Sequence, residues 1–174
     1  MKLIVIGGSG LLGGYLGFYL RQRGHHMVSL SRGRPAGDAT WVALSETTDL
    51  ASELKTGTYG AVINAAAGTS LSICNQVPDL AKQVNGQWPG DWAQDCATHN
   101  VPFVHISTDA VFSGSADSPY SEDSATGPTN EYGRSKLEGE QRVLACNPDA
   151  LVVRTNFFGW SKSGNQGILD FFFK

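Results

Sequence analysis

An uninterrupted apolar run, Leu3-Ile4-Val5-Ile6, ends on Gly7-Gly8-Ser9-Gly10-Leu11-Leu12-Gly13, and apolar residues then recur at helical spacing. A run of this kind reads as a strand buried on both faces, as in a parallel sheet. Gly7 can take the tight turn out of the strand, Gly10 lets the backbone approach a pyrophosphate, and Gly13 permits close helix packing. Ser9, Leu11 and Leu12 complete the turn, and the free N–H groups at a helix start suit phosphate. The spacing Gly-x-x-Gly-x-x-Gly differs from the G-x-G-x-x-G of most simple dehydrogenases. The strand before it and the helix after it nevertheless make it a dinucleotide-binding turn. Gly7, Ser9, Gly10, Leu11, Leu12 and Gly13 are therefore candidate cofactor-binding residues.

The remaining chain alternates strands and helices. Leu11, Leu12, Leu16, Tyr19 and Leu20 predict a helix over 11–23, stopped by Gly24. Strands are predicted at 27–30 and 61–65, with a short candidate at 41–44 and a weak helix at 46–55. Residues 79–98 look helical, although Pro89-Gly90 must break or kink them. A strand over 101–107 leads into a polar loop that lasts to Asn130. A helix over 131–146 and a strand over 151–154 follow. This order predicts an α/β fold of the Rossmann type, a doubly wound parallel sheet with helices on both faces. With 174 residues the chain is long enough for one domain, expected to be an NAD(P)-binding domain over 1–174. Its end, Ile168 to Lys174 with Phe171-Phe172-Phe173, reads as an apolar helix that stops without a cap. That ending predicts a truncated chain or one that buries this segment against a partner, as in a homodimer.

Several function classes are excluded or disfavoured. A formal net charge of −3 gives no electrostatic case for nucleic acid or an acidic membrane surface. No apolar run approaches the roughly 20 residues that span a bilayer. Met1 to Ile6 resembles a short signal core but runs into glycines without a cleavage pattern, so a first strand is expected. Cys74, Cys96 and Cys146 are widely spaced and read as reduced thilos of a cytoplasmic protein, partly buried. His25 and His26 lack metal-ligand spacing, and His105 reads as a hydrogen-bonded core histidine. Trp88 and Trp92, at i and i+4, are expected to pack together.

Three positions bear on specificity and chemistry. A carboxylate closing the second strand would hold a ribose 2′-OH, but this chain has Ser31-Arg32-Gly33-Arg34. Arg32 can bind a 2′-phosphate with help from the Ser31 hydroxyl, which favours NADP(H) over NAD(H). Ala65, Ala66 and Ala67 leave room for a ribose or nicotinamide at the end of the fourth strand. Tyr132 and Lys136 stand at i and i+4 on one helix face, where a cationic Lys would lower the pKa of the phenol. A phenol so tuned can exchange a proton with an alcohol or carbonyl, and Thr108 could hold the same oxygen. Asp109 could assist that site or cap the loop.

Together, Gly7-x-x-Gly10-x-x-Gly13, Asn64-Ala65-Ala66-Ala67, Val84-Asn85, Ser107-Thr108-Asp109-Ala110-Val111-Phe112 and Tyr132-Gly133-Arg134-Ser135-Lys136-Leu137-Glu138-Gly139-Glu140 resemble the extended short-chain dehydrogenase/reductases. The branch most similar is that of the dTDP-4-dehydrorhamnose reductases and related sugar-nucleotide-binding proteins. The resemblance implies Thr108, Tyr132 and Lys136 as a catalytic trio, a nicotinamide cofactor and a nucleotide-sugar substrate. Tyr132 would donate a proton to the reduced carbonyl, and Lys136 would bind the nicotinamide ribose. It also implies a C-terminal substrate lobe that is largely missing here. Where the reductases read Thr-Asp-Tyr, this chain has Thr108-Asp109-Ala110, which also removes the Glu of the related dehydratases. Gly14-Tyr15 replaces a Glu that helps some members bind magnesium, so no metal is expected. Two alternatives share the fold: a non-catalytic NADP-binding regulatory or scaffold subunit, and a nucleotide-sugar epimerase.

Overall fold

The computed structural model describes residues 1–33, 40–45, 47–160 and 169. Its strands are β1 (Lys2–Ile6), β2 (His26–Ser31), β3 (Trp41–Ala43), β4 (Ala61–Asn64), β5 (Phe103–Ser107) and β6 (Leu151–Arg154). The helices are α1 (Leu11–Gln22), α2 (Thr48–Leu54), α3 (Leu71–Gln76), α4 (Pro78–Ala81), α5 (Trp88–Thr98) and α6 (Glu131–Cys146). The strands lie in the order β3-β2-β1-β4-β5-β6, and each neighbouring pair is parallel. This is the doubly wound arrangement predicted. Its order reverses between β1 and β4, so the connections leaving these two strands diverge and open a crevice at their C-terminal ends.

Alternation along the strands divides the core. Ile4, Ile6, Val28, Leu30, Val62 and Phe103 meet Leu50 and Leu54 of α2, Trp92, Ala93 and Cys96 of α5, and Val143 of α6. Helix α1 covers the other face, with Gly17 against the Met27 side chain. β1 is buried at four of its five positions, which explains why its sequence is a continuous apolar run. β5 starts at Phe103, two residues after the predicted point, because Pro102 lacks the N–H that would continue the ladder.

The connection from β4 to β5 differs most from expectation. Pro89-Gly90, expected to break or kink the helix over 79–98, does not break it; the helix changes winding just before Pro89. The chain forms α3, then α4, then a π-helix over Lys82–Gln87 that passes directly into α5. Pro89 stands at the second position of α5, directly after the π-helix, so the winding changes beside the proline and the helix does not end there. α3 was not predicted; the Ser70 hydroxyl caps it by accepting the Ile73 N–H at 3.3 Å.

The π-helix lies against α6 because Gly139 has no side chain. A Cβ on Gly139 would stand 2.1 Å from the Asn85 carbonyl oxygen, a backbone atom that cannot step aside. Gly139→Ala is therefore expected to cost about 1–3 kcal/mol by overpacking, read as a lower urea midpoint. An unchanged midpoint would contradict this contact.

The predicted helix over 168–174 and its Phe cluster lie outside the described residues apart from Leu169, as does Arg34. Among the described residues no helix is long and apolar enough to cross a membrane. The three cysteines are free; Cys74 and Cys96 are buried, and burial pushes the Cys96 thiol up to about 12. Trp88 and Trp92 pack with ring centroids 6.0 Å apart.

Candidate active site

Two recesses open over the C-terminal strand ends, of about 520 Å³ and 560 Å³. Both are bounded by Ser9, Gly10 and Ala65 to Ala67, so they form one cleft across the switch point between β1 and β4. Its first half reaches Ser31 and Arg32 at the end of β2 and Trp88 and Trp92 on α5. Its second half reaches Thr108, Tyr132 and Lys136. A cleft of this size and position suits an extended ligand.

The glycine turn sits at the centre. Gly7 has φ of +84°, and a Cβ there would lie 2.8 Å from the Ala66 backbone, so the turn rests flat on the chain leaving β4. The first helical bond of α1 runs from Gly14 N–H to Gly10 C=O. The N–H groups of Leu11, Leu12 and Gly13 precede it, and no side chain caps the helix. The structure thus leaves a backbone anion site open to the cleft. Leu11 and Leu12 border the second half of the cleft. Gly13 lies behind it, where a Cβ would stand 2.3 Å from the Gly7 carbonyl oxygen.

At the β2 end, Arg32 is exposed and borders the first half of the cleft. Ser31 is buried, and its hydroxyl donates to the Gly33 carbonyl at 2.7 Å. Ser31 therefore shapes the turn that presents Arg32, and it borders the same half of the cleft. Trp92 Nε1 is buried without a hydrogen-bond partner among the described residues.

In the second half, β5 delivers Thr108 at its end and α6 delivers Tyr132 and Lys136. Asn130 starts α6 by accepting the Gly133 N–H at 2.8 Å, which fixes where Tyr132 falls. Gly133 allows α6 to touch the 3₁₀ turn Asp109–Val111, since a Cβ there would meet the Ala110 carbonyl oxygen at 2.2 Å. Burial raises the pKa of Tyr132, hydrogen bonding to Thr108 pulls it back, and the charges of Cys74 and Asp109 raise it further. The expected lowering by Lys136 is thus not the outcome in the free protein. Lys136 is almost fully buried, at 1% exposure. Its Nζ donates to the Ile106 carbonyl at 2.7 Å and lies 3.4 Å from His105 Nε2. Burial pulls its pKa down to about 8, while Glu140 acts in the opposite direction.

Sequence reasoning missed the groups that hold this trio. Glu140, one turn beyond Lys136, accepts from Arg154 Nη2 at 2.7 Å and from the Ser107 hydroxyl. Arg154 also donates to the Glu122 carbonyl at 3.1 Å and lies 5.0 Å over the Phe112 ring, which stacks on Tyr120. Asn85 in the π-helix links Gly68 to Ser135 by hydrogen bonds of 3.0 Å to each. Asp109 accepts from Thr108 at 3.2 Å and from Asn156 at 2.5 Å, so it ties the ends of β5 and β6 together. Spacing alone signalled only Glu140, which follows Lys136 at i+4. Among the described residues no cluster of three or more His, Cys, Asp or Glu could hold a metal.

Residues 1–168 match the RmlD substrate binding domain family. The probable low-salt glycan biosynthesis reductase Agl14 of Haloferax volcanii is 38% identical over 174 residues, covering 98% of this chain and 58% of that protein. The crystal structure of a dTDP-4-dehydrorhamnose reductase from Clostridium acetobutylicum superposes with a TM-score of 0.77 at 31% identity, over 92% of this chain and 54% of that one. A dTDP-4-dehydrorhamnose reductase from Bacillus anthracis in complex with NADP gives 0.78 at 25% identity, over 88% and 52%. The chain spans about half the length of the curated relatives it matches. It belongs to the RmlD substrate binding domain family, among the extended short-chain dehydrogenase/reductases.

Proposed function

We propose that this chain is the cofactor-binding part of an NADPH-dependent reductase that acts on a 4-keto nucleotide sugar. The observation that carries the reading is the single cleft with Arg32 at one end and Thr108, Tyr132 and Lys136 at the other. The uncapped start of α1 lies between them and suits a pyrophosphate. The NADP-bound relative and the reductase names of the relatives point the same way.

When bound, NADPH would supply the hydride. Arg32 would hold the 2′-phosphate, and the N–H groups of Leu11 and Leu12 the pyrophosphate. Ala65 to Ala67 keep the cleft floor free of bulk beside the reacting centre. Tyr132 holds a phenolic proton for the oxygen that gains charge, and Thr108 steadies that oxygen by hydrogen bonding. Lys136 would bind the nicotinamide ribose. The raised pKa of Tyr132 keeps it a proton donor through neutral pH, as reduction of a carbonyl requires.

Arg32→Ala is expected to weaken NADPH binding roughly tenfold, the effect of losing one charge-assisted contact at an exposed site, with NADH little changed. Competitive titration of the two cofactors measures it; equal losses for both would remove Arg32 from the phosphate. The reading as a whole is tested by supplying the full-length protein with NADPH and dTDP-4-dehydrorhamnose. Loss of nicotinamide absorbance with formation of the alcohol supports it. NADPH binding without turnover on any 4-keto nucleotide sugar favours a non-catalytic NADP-binding subunit, a reading that Ala110 beside Thr108 keeps open.

A further inference from the structure

Asn64 and His105 are directly paired across β4 and β5, and both are fully buried. The Asn64 amide has a fixed orientation, because its Oδ1 accepts the Ala66 N–H at 3.0 Å. Its Nδ2 is thereby turned toward His105 Nδ1, 3.0 Å away. An amide nitrogen only donates, so Nδ1 must accept, and a neutral imidazole then carries its hydrogen on Nε2. Nε2 faces Lys136 Nζ at 3.4 Å. Lys136 Nζ has the Ile106 carbonyl as its other partner, at 2.7 Å.

An ammonium has three hydrogens and no lone pair, so it would set N–H against N–H at His105. An amine satisfies every partner: its lone pair accepts from Nε2, one hydrogen goes to Ile106, and one remains. We propose that Asn64 and His105 are a positioning pair for Lys136, a tautomer lock that disfavours its ammonium and favours its amine. The role of Lys136 in turnover rests on the reductase reading, but the lock itself does not.

Other groups act on the same cluster. Glu140, on the same helix, favours the ammonium, and Arg154 from β6 engages that carboxylate bidentately. Tyr132 shares the helix face, while Cys74 from α3 and Asp109 after β5 act on Tyr132. Burial lowers Lys136 before the lock is considered, and it also holds His105 well below the usual histidine range, with Lys136 adding to that effect. His105 is therefore neutral at working pH, which the tautomer argument requires. Charge on Lys136 then becomes variable near neutrality, so this half of the cleft can carry a cation or a neutral amine.

Nuclear magnetic resonance of the 174-residue chain tests this without cofactor or turnover, so its outcome is independent of the reductase reading. Nitrogen-15 correlation through the imidazole should show His105 protonated on Nε2 and bare on Nδ1. Carbon-13 titration of Lys136 should give a midpoint that rises by about one unit or more in His105→Leu, as expected when an opposing N–H is removed. A proton on Nδ1, or a midpoint unmoved by His105→Leu, would overturn the proposal. If His105→Leu fails to fold, the tautomer of the unaltered chain decides alone.

Discussion

Tyr132→Phe is expected to lower kcat of the full-length protein by roughly 10²–10⁴-fold, the range for loss of one positioned proton donor, while NADPH affinity is retained. The substitution deletes one oxygen and leaves the ring against its neighbours, so the packing of α6 is preserved. The phenol borders the same half of the cleft as Thr108 and Lys136. Its pKa is raised by burial, so it stays protonated and donates. Loss of an interaction made only as charge develops lowers kcat and kcat/KM together. Steady-state kinetics with a fluorescence titration of NADPH separates these effects. An unchanged kcat would remove Tyr132 from the chemistry.

Arg154→Leu should have the largest effect on stability, a loss of about 3–5 kcal/mol, the usual result of stripping a partner from a buried ion pair. The Glu140 side chain is 4% exposed and has Arg154 as its cationic partner at 2.7 Å. Without Arg154 the carboxylate keeps the Ser107 hydroxyl and the nearby Lys136, which do not replace a bidentate guanidinium. The irregular segment after β5 also loses its anchors, the Glu122 carbonyl bond and the stack on Phe112. Urea unfolding measures the loss. Adding Glu140→Met to Arg154→Leu should restore much of it, because the stranded charge is then gone. A loss below about 1 kcal/mol for Arg154→Leu would place the pair in the weak, solvent-screened class.

Much of the fold was legible because local signals and tertiary needs agree. Leu3 to Ile6 is apolar throughout since β1 is central, and Asn130 marks the start of α6 because its side chain caps that helix. In the β4–β5 connection the helix over 79–98 was legible, but α3 and the π winding were not, because distant contacts set them. The π-helix exists where Asn85 meets Gly68, Ser135 and the bare backbone of Gly139, and no window of sequence shows those meetings. The candidate site divides in the same way. Helical spacing placed Tyr132 and Lys136 on one face, and both border the cleft. The partners of Lys136 come from β5, thirty residues earlier in the chain, so its tie to Ile106 and His105 was invisible. Ser31 borders the cleft beside Arg32, and the bond of its hydroxyl to Gly33 was not legible in the sequence.

The central claim is that one cleft over β1 and β4 holds a 2′-phosphorylated dinucleotide. Titration of the 174-residue chain with NADPH and with NADH, followed by nicotinamide fluorescence, tests it most directly. The account predicts saturable binding of NADPH, roughly tenfold or more tighter than NADH, as one charge-assisted phosphate contact would give. A folded chain that binds neither, or that binds NADH as tightly as NADPH, would contradict it.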